Sequence, residues 1–101
     1  MESIKFKSYP RFMDELRAGR NFDVRKFDTG DPRFQALSKF ELRPWGSLYN
    51  VAEVTFISTD ADDWLTFKYL GMTFCEHLPG WCVLKLGPVL RTSKLYAGGP
   101  Q

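Results

Sequence analysis

The residues best equipped for chemistry cluster early in the chain. Asp23 and Arg25 stand two positions apart, so on a strand their side chains share one face. A guanidinium is a planar fork that can grip a phosphate or a base edge at two points, and a neighbouring carboxylate can hold it in one orientation. Arg20 and Lys26 add positive charge on either side, and with Arg17 they form a basic group able to neutralise phosphates. The same residues equally fit a solvated basic face, with Asp23 and Arg25 as a surface ion pair worth about 0–1 kcal/mol. Arg43 and Trp45 flank Pro44, and Tyr49 follows four residues after Trp45. A cation beside an exposed aromatic ring is suited to stacking an unpaired base, worth about 1–3 kcal/mol per base. The plain alternative is that Trp45 and Tyr49 belong to the core, as is expected of Trp64 and Trp81.

Other chemistries find less footing. Cys75-Glu76-His77 with Cys82 offers one His and two Cys, short of the four ligands of a closed zinc site, so no metal is expected. Neither thiol has a clear orienting partner for nucleophilic catalysis; both are expected to be reduced. There is no P-loop, no dinucleotide-binding glycine motif and no EF-hand loop, so no cofactor is implied and no catalytic residue is assigned.

The elements that must position these groups follow from period and punctuation. Ile4-Lys5-Phe6-Lys7 alternates apolar and basic residues as a half-buried strand does. Pro10 suits the first turn of a helix, Phe12, Leu16 and Met13 line one face of it, and Gly19 stands where a left-handed C-terminal cap is wanted; a helix over 10–18 is expected. Residues 21–27 alternate again, with Phe22 and Val24 expected on the buried side and Asp23 and Arg25 opposite. Asp28-Thr29-Gly30-Asp31-Pro32 is dense in turn formers. A strand over 39–43 ends at Pro44, which cannot donate to a ladder.

The β-branched run 50–59 reads as a central strand. Asp60, Asp62 and Asp63 could cap a helix, and Trp64, Phe67 and Lys68 fall at helical spacing, so a short second helix over 61–70 is expected. A strand over 81–86, an interruption at Pro88 and a strand over 89–96 complete the list. Residues 1–96 form a single domain, and 97–101 are expected to be a frayed tail. Phe6, Phe12, Phe22, Phe56 and Trp81 fall on faces expected to be buried. Connections after residue 20 are too short for repeated crossover helices, so the fold class is α+β: a small mixed β-barrel of five or six strands, one N-terminal helix and one short second helix.

Composition agrees with one ordinary domain. The chain has 101 residues, 26% charged and 44% hydrophobic, with nine Phe, four Tyr and three Trp. Disorder and collagen-like structure are excluded. No run approaches the 18 or more apolar residues of a membrane span, and Met1-Glu2-Ser3-Ile4-Lys5 lacks the apolar core of a signal peptide, so a cytoplasmic location and no membrane partner are expected. The net charge of +2 is the sum of unlike parts. Ten Lys and Arg face seven acids in 1–50, five acids face Lys68 in 51–76, and 77–101 has three cations and no acid. Anionic ligands should meet the first half or the last strand, not the middle.

The order of these pieces resembles the ASCH domain, a branch of the PUA-like β-barrels associated with RNA. The similarity covers about residues 3–90: strand, helix, then Gly19-Arg20-Asn21-Phe22-Asp23-Val24-Arg25-Lys26, where the family carries a Gly, a basic residue and a strand with an acid two residues before an Arg. Thr29-Gly30-Asp31, Leu42-Arg43-Pro44-Trp45 and Gly80-Trp81-Cys82-Val83-Leu84 recur in order. The family usually has a Lys two positions after the Gly and a Glu before the Arg; here the segment is one residue shorter and Asp23 stands for Glu. Some small members resemble amidohydrolases that deacetylate a modified cytidine with a Lys, a Thr and a Glu. No Lys lies between Gly19 and Arg25 and no Thr precedes Thr29, so the resemblance implies binding and not that catalysis.

These residues fit three functions. The first is a noncatalytic domain that binds RNA or a nucleotide-like ligand through Arg20, Asp23, Arg25, Lys26, Arg43, Trp45 and Tyr49. The second is a protein-interaction or inhibitor module, of the kind a mobile element could carry, presenting the acidic, aromatic segment 60–69 through Asp60, Asp62, Asp63 and Trp64. The third is a nucleoside amidohydrolase with Asp23, Glu53 or Glu41 as acid and base.

Overall fold

The computed structural model describes residues 2–38, 51–59 and 62–93. In chain order these form β1 (Glu2–Ser8), α1 (Pro10–Arg17), β2 (Phe22–Lys26), α2 (Pro32–Ser38), β3 (Val51–Ser58), β4 (Trp64–Phe74) and β5 (Trp81–Thr92). The strands make one curled sheet, a half-barrel, in the order β1-β3-β4-β5-β2. β1 runs parallel to β3, and every other pairing is antiparallel. The α+β class expected from the sequence is what the chain adopts. Residues 1, 39–50, 60, 61 and 94–101 lie outside the described residues; with them go the expected strand over 39–43 and the expected tail.

Each element follows from local chemistry. In β1, Ile4, Phe6 and Ser8 are buried while Lys5 and Lys7 face water. Pro10 occupies the first turn of α1, and Met13 and Leu16, one helical step apart, are its buried residues. Gly19 follows the helix with a φ of 116°, a backbone setting that suits a residue without Cβ, so the glycine stop read from sequence is present. α2 begins at Pro32, with the Asp31 side chain accepting from the Arg33 N–H at 2.9 Å, the arrangement of an N-cap.

The core is one cluster. Met13 and Leu16 of α1 and Phe34 and Leu37 of α2 pack with Ile4, Phe6, Val54, Phe56, Leu65, Phe67, Tyr69, Cys82, Leu84 and Leu86. Tyr69 donates its hydroxyl to the Leu37 carbonyl at 2.9 Å, tying β4 to the end of α2. β3, paired on both sides by β1 and β4, is an interior strand, as its β-branched sequence suits, although β4 holds the centre of the sheet; on the other face of β3, Thr55 and Thr66 join hydroxyl to hydroxyl at 2.7 Å.

Several expectations need correction. Residues 64–70 are not a second helix but the first part of β4. Leu65, Phe67 and Tyr69 are buried and Trp64, Lys68 and Leu70 exposed, a period of two that pairing with both β3 and β5 enforces. The second helix is α2. The last strand is not broken at Pro88: β5 runs through it, and the β4–β5 register shifts between Thr66 and Gly71, so the residue lacking an N–H sits in an irregular stretch of ladder. Phe6 and Phe56 are buried as expected, but Phe12 is only partly so, and Phe22 and Trp81 are 41% and 38% exposed. Trp64, read as a packing residue, is also at the surface.

Candidate ligand cleft

β1 and β2 are the two ends of the sheet and do not pair with each other. Asn21 and Phe27 bond to Leu86 and Gly80 of the neighbouring chain segment. By the alternation of an antiparallel ladder, residues 23 and 25 then turn their backbone groups to β5, and 22, 24 and 26 turn theirs to the open side. The curl of the sheet brings that open side of β2 round towards β1 and the start of α1. Between them lies a cleft of about 710 Å³, lined by Lys7, Ser8, Tyr9, Phe12, Arg20, Asp23, Val24, Arg25, Lys26, Thr59 and Trp81.

The alternation of β2 is present, with its faces reversed. Val24 and Phe22 are exposed, whereas Asp23 is only 5% exposed. A carboxylate is costly to bury unless it is paired and hydrogen-bonded, and Asp23 is doubly so. Its Oδ1 accepts from Arg20 Nη2 at 3.0 Å and its Oδ2 from Arg25 Nε at 2.6 Å. One buried anion thus positions two guanidinia on the cleft wall.

Each guanidinium is fixed further. Arg20 donates Nε to the Phe22 carbonyl at 2.9 Å and Nη1 to Glu15 at 3.2 Å, and lies over the Phe12 and Phe22 rings at 5.5 and 5.4 Å. Arg25 donates Nη2 across the seam to the Lys7 carbonyl at 2.7 Å and sits 4.8 Å above the Phe6 ring. Among the described residues no hydrogen bond is recorded to its Nη1. Farther along, Arg33 repeats the device: it grips Asp31 in two places, reaches the Lys5 carbonyl at 2.7 Å, and lies 4.5 Å from the centre of the Phe6 ring. The Arg33 guanidinium holds the Asp31 carboxyl below the usual carboxylate range.

Charge and aromatic surface coincide in the cleft. Lys7, Arg20, Arg25 and Lys26 face the single lining carboxylate of Asp23, leaving a positive excess. Tyr9, 66% exposed, and Trp81 offer ring surface at its rim. The structure therefore brings together Arg20, Asp23, Arg25 and Lys26 from the residues singled out by sequence. Arg43, Trp45 and Tyr49 lie outside the described residues. Lys7, Tyr9 and Trp81 also line the cleft without being legible as such in the sequence: Trp81 reads as a packing residue, and Tyr9 carries no signal beyond preceding Pro10.

Remaining candidates fall elsewhere. Arg17 turns away from the basic group to pair with Asp63, which is 6% exposed and also accepts from the Ser93 hydroxyl at 2.9 Å. Of the acidic segment, Asp62 and Trp64 are exposed, Asp63 is engaged within its own chain, and Asp60 is outside the described residues. Glu53 pairs with Arg91 and is not among the residues that line the cleft; Glu41 is outside the described residues. Cys82, opposite Arg25 in the ladder, is buried, and burial pushes its thiol up to about 11. Among the described residues no three His, Cys, Asp or Glu side chains gather as a metal site. No helix among them is long and apolar enough to cross a membrane.

Comparison with protein-family models, with curated proteins and with solved structures finds no match for this chain.

Proposed function

We propose that this chain is a noncatalytic PUA-like barrel of the ASCH kind and binds an unpaired nucleotide, free or within RNA, in the β1–β2 cleft. The observation that carries the proposal is the buried Asp23 carboxylate holding Arg20 and Arg25 on the wall of an open cleft edged by exposed rings. An anion and an aromatic ring within one ligand describe a nucleotide. Guanidinia supply charge-assisted hydrogen bonds to phosphate, and Tyr9 and Trp81 supply faces on which a base can stack. Unpaired RNA is read in this way, by stacking and by contacts to splayed bases.

Titration of the intrinsic tryptophan fluorescence with single-stranded and with duplex RNA at low and at moderate salt tests the proposal. Single-stranded RNA is expected to bind at low salt, with affinity falling as salt rises because phosphate contacts release counterions. Arg25→Lys keeps the charge but loses the fork, and is expected to weaken binding about tenfold, the loss of one charge-assisted bond. Absence of binding at low salt, or unchanged affinity in a folded Arg25→Lys variant, overturns the assignment.

A further inference from the structure

We infer, building on the nucleotide reading above, that the ligand is an oligonucleotide of at least two residues laid along the β1–β2 seam, with Arg25 and Lys26 at the phosphodiester that joins them. The cleft does not end at Arg25. A second hollow of about 670 Å³ adjoins it, and Arg25 and Lys26 line both. The two hollows are lobes of one groove with these cations at its waist.

The lobes differ in chemistry. The first has four cations against Asp23 and carries the exposed rings, so it suits a base with its charged 5′ end. In the second, Arg25, Lys26 and Arg33 face Asp28 and Asp31, and Arg33 is committed to Asp31 and to the Lys5 carbonyl. That wall is polar but nearly balanced, which suits an uncharged nucleoside better than a second free phosphate. Asp28 Oδ1 accepts from the Gly30 N–H at 2.9 Å, and the carboxylate stands beside exposed Thr29 as an acceptor for base or ribose donors.

Direction along the seam is set by β1. Lys7 and Lys5 present successive outward carbonyls, capped by Arg25 and Arg33, two residues or about 6.6 Å apart on an extended strand. A nucleotide step in an extended single strand covers a similar length. A ligand of one nucleotide fills one lobe and leaves the other to water; a dinucleotide fills both and places its linking phosphate at the waist.

Isothermal titration with uridine 5′-monophosphate, uridine 5′-diphosphate and the 5′-phosphorylated dinucleotide of uridine separates the outcomes. The dinucleotide is expected to bind about tenfold or more tightly than the monophosphate, the worth of one further stacked or contacted base, and more tightly than the diphosphate, which adds charge without a second nucleoside. Thr29→Glu, which places bulk and negative charge in the second lobe, is expected to bring the dinucleotide down to the monophosphate's affinity and to leave monophosphate binding unchanged, itself the check on folding. Equal binding of monophosphate and dinucleotide, or of diphosphate and dinucleotide, overturns the two-residue groove while the nucleotide site stands. Failure of all three probes to bind overturns the nucleotide site itself.

Discussion

Replacing Asp23 by Asn removes one charge and almost no volume, so it isolates what the buried carboxylate does. Asp23 accepts two hydrogen bonds from cations, at 3.0 and 2.6 Å. Bonds to charged groups contribute about 1.5–3 kcal/mol each. The two arginine side chains keep 19% and 23% of their surface in contact with water, which screens them and favours the lower figure. Asn retains one acceptor oxygen at reduced strength and turns an NH2 donor towards the other guanidinium, leaving two like charges facing each other across a neutral amide. The expected loss is therefore about 3 kcal/mol. For a domain of this size 1 kcal/mol moves Tm by about 4–8 °C, so Asp23→Asn is expected to melt about 12–24 °C lower than the parent. Calorimetric melting at neutral pH measures this, and a double-mutant cycle with Arg20→Gln and Arg25→Gln apportions it. A fall in Tm of less than about 4 °C, under 1 kcal/mol, refutes the reasoning: it means that water already solvates the carboxylate and that no pinned guanidinium pair exists.

Other outcomes follow from the same geometry. Tyr69→Phe is expected to cost about 1–2 kcal/mol in chemical denaturation, because the Leu37 carbonyl loses its buried donor; a change below experimental error counts against that bond. Burial raises both the Tyr69 hydroxyl and the Cys82 thiol, the latter from its ordinary 9.0 to about 11. The unfolded chain gives up these protons first, so stability is full below about pH 9 and falls as pH rises towards 11; a flat stability profile over that range contradicts it. For the same reason Cys82 is expected to resist alkylation at pH 8 until the protein is unfolded, as mass spectrometry of the labelled peptide can show. Gly19→Ala, at a φ of 116° but with open space around the added Cβ, is expected to destabilise by about 1 kcal/mol through backbone strain alone.

Much of the fold could be read from local pattern. The strand Ile4 to Lys7, the helix begun by Pro10 and stopped at Gly19, and the β-branched centre of β3 each carry their own signal, and each is present. β2 shows where such reading stops. Its period is plain, but polarity alone places Asp23 and Arg25 on the water-facing side, whereas Asp23 is buried. The Asp23–Arg25 pair is legible from its spacing, but the burial of Asp23 is not: it depends on Arg20, from beyond the end of α1, reaching the same carboxylate. In β4, three residues at helical spacing outweighed the alternation of Leu65, Phe67 and Tyr69; what decides between them is the presence of β3 and β5 on either side, a tertiary fact. Arg33 has a local partner in Asp31, but its reach to the backbone carbonyl of Lys5 has no sequence mark, since every residue possesses that group.

The placement of β1 and β2 at opposite ends of the sheet also governs when the groove comes into being. β3, β4 and β5 are joined as consecutive antiparallel neighbours, whereas Ile4 must find Val54 and Val24 must find Val83. Closing such long loops is entropically slow, and nonlocal pairings form late in folding. The two strands whose edges make the walls are thus expected to dock last, on a meander already formed. On the proposed function, ligand capture then reports completion of folding, and a ligand that bridges the seam is expected to join the last-formed pieces of the chain, slowing their release more than it slows the opening of the central hairpins.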